Sequence, residues 1–299
     1  MIVADLHVHT TASDGTMEFP EVRAAARAAG LDSVAITDHD CLHPALDAPI
    51  TRLGSERGLR GDPESDGDAE SEPDFGDGEQ VGTDSGGSGE EGLTVIRGIE
   101  LRVDAGFESI DLLGYGVRRT PQLARELDRL GRDRAERGRH IVERVEKRLG
   151  VDLDIAIDGN VGRPHVARAI ADSEANYDYR GAFEHLIGEG CPCYVARDLP
   201  AIETGVELLT GACGVVSLAH PFRYREPERA LERCEELGID AVERYYPYGR
   251  AVDEALLDRA IEEYDLLVTG GSDAHDQELG RAGPSATQYE PFAERLSRS

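Results

Sequence analysis

Lysine is almost missing from this chain of 299 residues: Lys147 is the only one, and 32 basic residues face 60 acidic ones, for a net charge of −28. That balance excludes a broad positive surface, and with it affinity for long duplex nucleic acid through phosphate neutralisation. Long apolar runs are missing too. No stretch approaches the roughly 20 apolar residues that span a bilayer, so no membrane partner is expected. The first residues carry neither the basic start nor the apolar run of a secretory signal, so a cytoplasmic location is expected. Cysteine is sparse and scattered, at Cys41, Cys191, Cys193, Cys213 and Cys234. Cys191 and Cys193 form a CxC without a second pair nearby, which argues against a thiolate zinc site or a disulfide framework; reduced thiols are expected. P-loop, GxSxG and cysteine-nucleophile motifs are absent.

At 39% the apolar fraction is below the globular average, so part of the chain should stay out of the core. Residues 61–92 hold 12 acidic residues, nine glycines and no basic residue. Such a segment buries too little apolar surface to offset its ordering entropy, and a disordered acidic insertion at about 55–92 is expected. Without its charges the net falls only from −28 to −16, so the folded body is acidic as well. Scarce lysine and dense acidity fit adaptation to a salt-rich cytoplasm, as in a halophile, where screening makes crowded like charge tolerable. A basic protein partner is the other explanation, and no specific feature points to one. A phosphate-bearing substrate must then be held locally, by metals and a few arginines.

Short β-like runs alternate with helical ones. Strands are expected at 2–6, 33–37, 93–101, 109–117, 214–220, 239–246 and 265–272, with helices at 20–30, 199–213, 226–238 and 251–264. This alternation predicts an α/β fold with a mostly parallel sheet, closed or nearly closed into a barrel. One long charged helix at 121–149, then more helix at about 164–190, reads as a helical insertion over roughly 120–198 that covers one end of the barrel.

His7 and His9 stand at i and i+2 at the end of the first strand, a spacing that aims both rings to one face. "GGSDAH" places Asp273 and His275 two apart after the last strand, and if the sheet closes the two pairs become neighbours. Asp38, His39 and Asp40 end the second strand, Glu100 and Asp111 lie on adjacent strands, and His220 precedes Pro221. Active sites of parallel barrels gather at such carboxyl ends. Helix caps explain Asp14, Asp38 or Asp40 singly, but not His9, His220 and His275 together. Imidazole and carboxylate without thiolate suit Zn, Mn or Fe. Clustered divalent ions ionise a bridging water and clamp the oxygens of an in-line displacement, and phosphate ester hydrolysis is the chemistry that most needs this.

"DLHVHTTASDG", "ITDHD", "GIE", "RPHVARA", "AHPFRY" and "GSDAH", in that order, resemble the PHP (polymerase and histidinol phosphatase) superfamily. Within it they are most similar to the branch of 3′,5′-nucleoside bisphosphate phosphatases and 5′–3′ exoribonucleases. The likeness runs from residue 4 to about 282, interrupted by the acidic segment. It implies a single domain over 1–299 with a distorted (β/α)7 barrel, and two or three divalent ions, manganese first, with zinc or iron as alternatives. It implies His7, His9, Glu100 and Asp273 as ligands of a first ion and Asp14, His39 and His275 of a second. Glu100 would bridge to a third, completed by Asp111 and His220. Many relatives have histidine where this chain has Asp111, which puts the third site in doubt. Asp5 reads as support that orients a histidine. Arg163, His165 and Arg223 are the candidate phosphate contacts, because guanidinium forks match phosphate oxygens. The alternatives are surface ion pairs for the arginines and a buried structural role for His165.

The implied activity is hydrolysis of small nucleotide bisphosphates or short RNA 5′ ends by a metal-bridging hydroxide. The rivals are a histidinol-phosphate or other phosphomonoester phosphatase on the same barrel, and a non-catalytic metal-binding module.

Overall fold

Among the described residues the apolar runs become eight strands: β1 (Ala4–Val8), β2 (Ser33–Ile36), β3 (Ile50–Leu53), β4 (Leu93–Asp104), β5 (Ser109–Tyr115), β6 (Val215–Leu218), β7 (Ala241–Tyr245) and β8 (Leu267–Gly270). The computed structural model describes residues 1–54, 92–157 and 161–298. The acidic insertion expected at about 55–92 therefore lies outside the described residues, apart from Gly92.

The sheet runs β1-β2-β4-β5-β6-β7-β8, with β3 paired antiparallel to β4 off this path. β1, β2 and β4 are mutually parallel, as are β6, β7 and β8. β5 is antiparallel to both its neighbours. The reason is the link from β4, only residues 105–108, which is long enough for a hairpin but not for a crossover. The edges are joined past the strand ends, where the His9 amide donates to the Ala274 carbonyl (2.9 Å) and the Ala274 amide to that of His7 (3.3 Å). The result is the nearly closed, distorted α/β barrel expected from the alternation. β3 was not among the expected strands.

The helices are α1 (Phe19–Ala28), α2 (Pro121–Leu149), α3 (Arg163–Asp172), α4 (Tyr179–Ala182, continuing as a π turn over Phe183–Ile187), α5 (Ile202–Thr210), α6 (Pro227–Glu236), α7 (Glu254–Glu263) and α8 (Ala286–Ser297). α1 lays Val22 and Ala26 against Val8, Val34 and Ile36, while α8 lays Phe292 and Leu296 against Leu6 and Tyr115. α2 has the expected bounds and well-formed ends: Thr120 Oγ1 accepts from the Leu123 amide, Pro121 opens it, and Gly150 at φ 71° closes it. Leu123 and Leu130 join the barrel core, whereas Ile141, Val142 and Val145 pack with Val166, Ile170 and Leu186 in a separate small core. Helix was expected to about 190 but stops at Ile187, where Gly188 is extended and Pro192 soon follows. Among the described residues no helix is long and apolar enough to cross a membrane.

Candidate metal centre

All nine candidate ligands converge at one end of the barrel, where the parallel strands have their carboxyl ends and the antiparallel β5 its amino end, which carries Asp111. At the end of β1 the two-residue period of extended chain points His7, within the strand, and His9, just past it, to one side, both fully buried. Their Nε2 atoms lie 3.1 Å apart. Asp273 Oδ1 is 3.5 Å from His7 Nε2 and 3.1 Å from His9 Nε2; Glu100 Oε2 is 3.5 and 3.4 Å from the same atoms. Four donors around one tetrahedral ion at about 2.1 Å stand about 3.4 Å apart, so this spacing suits a shared cation. Beside them His9, Asp14, His39 and His275 form a second group, in which His275 Nε2 is 3.3 Å from Asp14 Oδ1. Glu100, Asp111 and His220 form a third, with His220 Nε2 3.0 Å from Glu100 Oε1 and 3.8 Å from Asp111 Oδ2.

The electrostatics explain why a cation fits. Burial resists charge on His7, yet Glu243, Asp273 and Glu100 push its pKa well above the usual value. Burial likewise opposes His39, but Glu100 and Asp14 raise it to about 9. Glu100 and Asp273 are buried carboxyls that surrounding imidazoles hold far below the ordinary carboxylate range. His9 goes the other way, lowered by burial and by His39. His9 Nδ1, Asp14 Oδ1, Glu100 Oε2 and His220 Nδ1 are buried without a hydrogen-bond partner. Unsatisfied buried polar atoms are costly, and a coordinated ion relieves that cost.

Orientation comes from a surrounding layer. His7 Nδ1 meets Glu243 Oε1 at 3.1 Å, which fixes the proton there and turns the Nε2 lone pair into the cluster. Glu243 Oε2 accepts from the His220 amide (2.7 Å). Asp5 departs from its expected role: its carboxylate takes the backbone amides of His7, Ser272 and Gly280, not an imidazole. Asp38 accepts from Thr10 and Ser13 and ties down the loop that carries Asp14. Three of the four described non-glycine residues with positive φ, Asp40, His220 and Asp273, stand at this site, and such strain gathers where function over-determines the backbone. Gly271 passes so close to β1 that a Cβ would lie 2.3 Å from the His7 amide nitrogen. Glu243→Gln is expected to weaken metal affinity by about 10- to 100-fold in a chelator competition; an unchanged affinity would remove Glu243 from this orienting role.

The second element of the site is cationic. A cavity of about 150 Å³ beside Asp14 and His39 is walled by Arg102, Arg134, Arg137, Arg163 and Arg197, with Phe183. Asp40 pairs with Arg134 and Arg197, and Asp111 with Arg102. Arg163 lies over the rings of Phe183 and Tyr194, 5.8 Å from each, and burial lowers its pKa. Burial first, then Arg163 and Arg197, pull Arg137 down to about 10. Crowded, incompletely neutralised guanidiniums make a site for a polyanion.

Of the three phosphate-contact candidates, Arg163 stands in this cavity. Arg223 binds Asp273 Oδ2 (3.0 Å) and the Tyr246 hydroxyl (2.9 Å), next to the metal-ligand cluster instead. His165 lines a separate cavity with Thr11, Ser13 and Asp154, and its Nδ1 accepts from the Gly162 amide. Sequence reasoning missed Arg102, Arg134, Arg137, Arg197, Glu243 and Tyr246. A signal existed for two of them: Arg134 and Arg137 occupy the buried stripe of α2 between Leu130 and Ile141.

Asp40 is held at about 2 by Arg197 and Arg134, despite burial that favours its neutral form. A depressed carboxyl contributes stability above its unfolded pKa near 3.8 that is lost as pH falls toward 2. Asp40→Asn should therefore destabilise by about 2 kcal/mol at neutral pH. In denaturant titrations that gap should close between pH 4 and pH 2; a gap independent of pH would contradict the assignment.

A barrel with this ligand set at its strand ends belongs among metal-dependent hydrolases, and comparison with known proteins names the family. Residues 5–279 match the PHP domain, and the chain belongs to that family. It is 29% identical over 246 residues to a 3′,5′-nucleoside bisphosphate phosphatase of Chromobacterium violaceum, covering 77% of this chain and 70% of that protein. It is 25% identical to a 5′–3′ exoribonuclease of Haemophilus influenzae, over 91% of this chain and 89% of that one. A phosphoribosyl 1,2-cyclic phosphate 1,2-diphosphodiesterase of Eggerthella lenta is 26% identical, over 92% and 94%. An amidohydrolase structure from Chromobacterium violaceum, with bound sulfate and no metal, superposes with a TM-score of 0.70 at 22% identity, over 98% of this chain and 96% of that one. That likeness is one of fold. The resemblance carried by the ordered motifs is borne out.

Proposed function

We propose that this chain is a metal-dependent phosphoesterase acting on small phosphorylated nucleotides, 3′,5′-bisphosphates foremost, or on the 5′ ends of short RNA. The observation that carries this reading is the adjacency of two unlike sites: a convergent imidazole–carboxylate cluster and a cavity walled by five arginines, with Asp14 and His39 belonging to both. A single phosphate needs the first alone. A second phosphate gives the arginines their purpose, which favours a bisphosphate or an oligonucleotide end over a simple phosphomonoester. Relatives that act on nucleoside bisphosphates and RNA support the same reading.

In this reading His7, His9, Glu100 and Asp273 hold one divalent ion, and Asp14, His39 and His275 a second, with manganese the favoured ion. Ions held there supply Lewis-acid neutralisation of phosphoryl oxygens and acidify water toward neutral pH. The carboxylates of Glu100, Asp273 and Asp14 are ionised at neutral pH and bring the negative charge that retains such ions. Glu243 keeps the His7 ring in the tautomer that presents Nε2. Arg137 and Arg163 grip the distal phosphate, while Phe183 and Tyr194 fix the Arg163 fork in place. Arg223 and Tyr246 hold Asp273 Oδ2, leaving Oδ1 directed at the histidines. Residues 1–299 act as one domain whose insertion, at about 120–198, brings four of the five arginines.

The test is hydrolysis by metal-stripped, manganese-reconstituted protein of 3′-phosphoadenosine 5′-phosphate against histidinol phosphate. A kcat/KM at least about 10-fold higher for the bisphosphate is expected, since charge-assisted contacts contribute about 1.5–3 kcal/mol each. Preference for histidinol phosphate would overturn the nucleotide assignment. No turnover of any phosphoester would leave a metal-binding module.

A further inference from the structure

The third group, Glu100, Asp111 and His220, differs from the other two because a guanidinium engages both oxygens of one of its carboxylates, whereas Arg223 takes only Oδ2 of Asp273. Arg102 Nε lies 2.8 Å from Asp111 Oδ1, and Arg102 Nη2 lies 2.7 Å from Asp111 Oδ2. The pairing is built into the sheet: Arg102 on β4 is directly opposite Asp111 on β5. Cross-strand opposite charges at such a position reinforce one another, and the strand register holds them there. Asp111 is 1% exposed, its amide donates to the Tyr224 hydroxyl (2.9 Å), and the Ala219 amide donates to its carbonyl (3.0 Å). Neither strand nor carboxylate is free to turn away from the fork.

We propose that the Arg102–Asp111 pair takes the place of a third metal ion, so that this centre holds two divalent ions and one fixed guanidinium. The inference rests on the metal-centre reading above. A bidentate guanidinium engages both oxygens of Asp111 and neutralises their charge, which weakens Asp111 as a donor beside Glu100 and His220, and Glu100 already serves the neighbouring cluster. A divalent ion entering there would also meet the like charge of Arg102, half-buried and held 2.7–2.8 Å from the Asp111 oxygens. The guanidinium also offers what an ion offers a phosphate. Arg102 lines the arginine cavity, and its Nη1 makes no hydrogen bond among the described residues. Unlike a bound ion, this cation is not lost to chelators or replaced when the available metal changes.

The test is metal content per folded chain, measured by elemental analysis after manganese reconstitution and gel filtration, with circular dichroism confirming the fold. About two ions are expected in the wild type, about two in Asp111→Asn, and about three in Arg102→Met, where an unpaired buried carboxylate joins Glu100 and His220. Removing a cation from the protein should thus add a metal. Three ions in the wild type, or loss of an ion in Asp111→Asn, overturns the proposal while leaving the metal centre intact. A folded Arg102→Met protein that binds no more metal than the wild type also overturns it. A wild type that binds no metal overturns both readings.

Discussion

Replacement of His7 by alanine is expected to lower kcat/KM for 3′-phosphoadenosine 5′-phosphate by roughly 10³-fold or more, with loss of bound metal. His7 Nε2 lies within 3.5 Å of His9, Glu100 and Asp273, so the first ion would lose one of four ligands. Transition-state stabilisation by such an ion is worth several kcal/mol, which corresponds to roughly 10³-fold or more. The substitution also strands Glu243, a fully buried carboxylate whose Oε1 is hydrogen-bonded to that ring. A lower melting temperature should therefore accompany the lost activity. The double replacement His7→Ala, Glu243→Ala separates the effects: it should recover stability and not turnover. Activity that survives His7→Ala unchanged would dismantle the site.

The arginine cavity gives the second large effect, and it falls on KM. Arg163→Met should raise KM for the bisphosphate by about 10- to 100-fold while changing kcat little, because the distal phosphate is bound equally in ground and transition states. A nucleoside monophosphate should hardly notice the change. Thermal stability should hold, since methionine still packs on Phe183 and Tyr194 and the mutual repulsion with Arg137 is relieved. Equal losses for mono- and bisphosphate, measured in parallel steady-state assays, would mean that Arg163 acts at the reacting phosphate instead.

The candidate metal ligands were legible because their signal is local. HxH at the end of one strand and DxH after another need only the two-residue period of extended chain to share a face, and closure of the sheet brings the pairs together. The direction of β5 was not so legible. Alternation suggested a parallel barrel, but the four-residue link after β4 decides the matter, and its length shows only once both strand ends are known. The arginines were hidden for another reason. Arg134 and Arg137 share a stripe with Leu130 and Ile141, but in a helix so rich in charge that this signal is faint, and their burial shows only once α2 is packed. Glu243 was hidden by position: a single acid inside "AVERYY" looks like the polar face of a strand, and its partner His7 is 236 residues away. Asp111 stood out in the sequence as a carboxylate in the expected ligand set, but the register that sets Arg102 opposite it is visible only in the sheet.

The most direct measurement is anomalous diffraction at the manganese edge from crystals of the reconstituted protein. Two peaks are expected, one among His7, His9, Glu100 and Asp273 and one among Asp14, His39 and His275, with none between Asp111 and His220. The absence of density at the first two positions, or manganese bound only elsewhere, would contradict the assignment of this cluster as the catalytic centre.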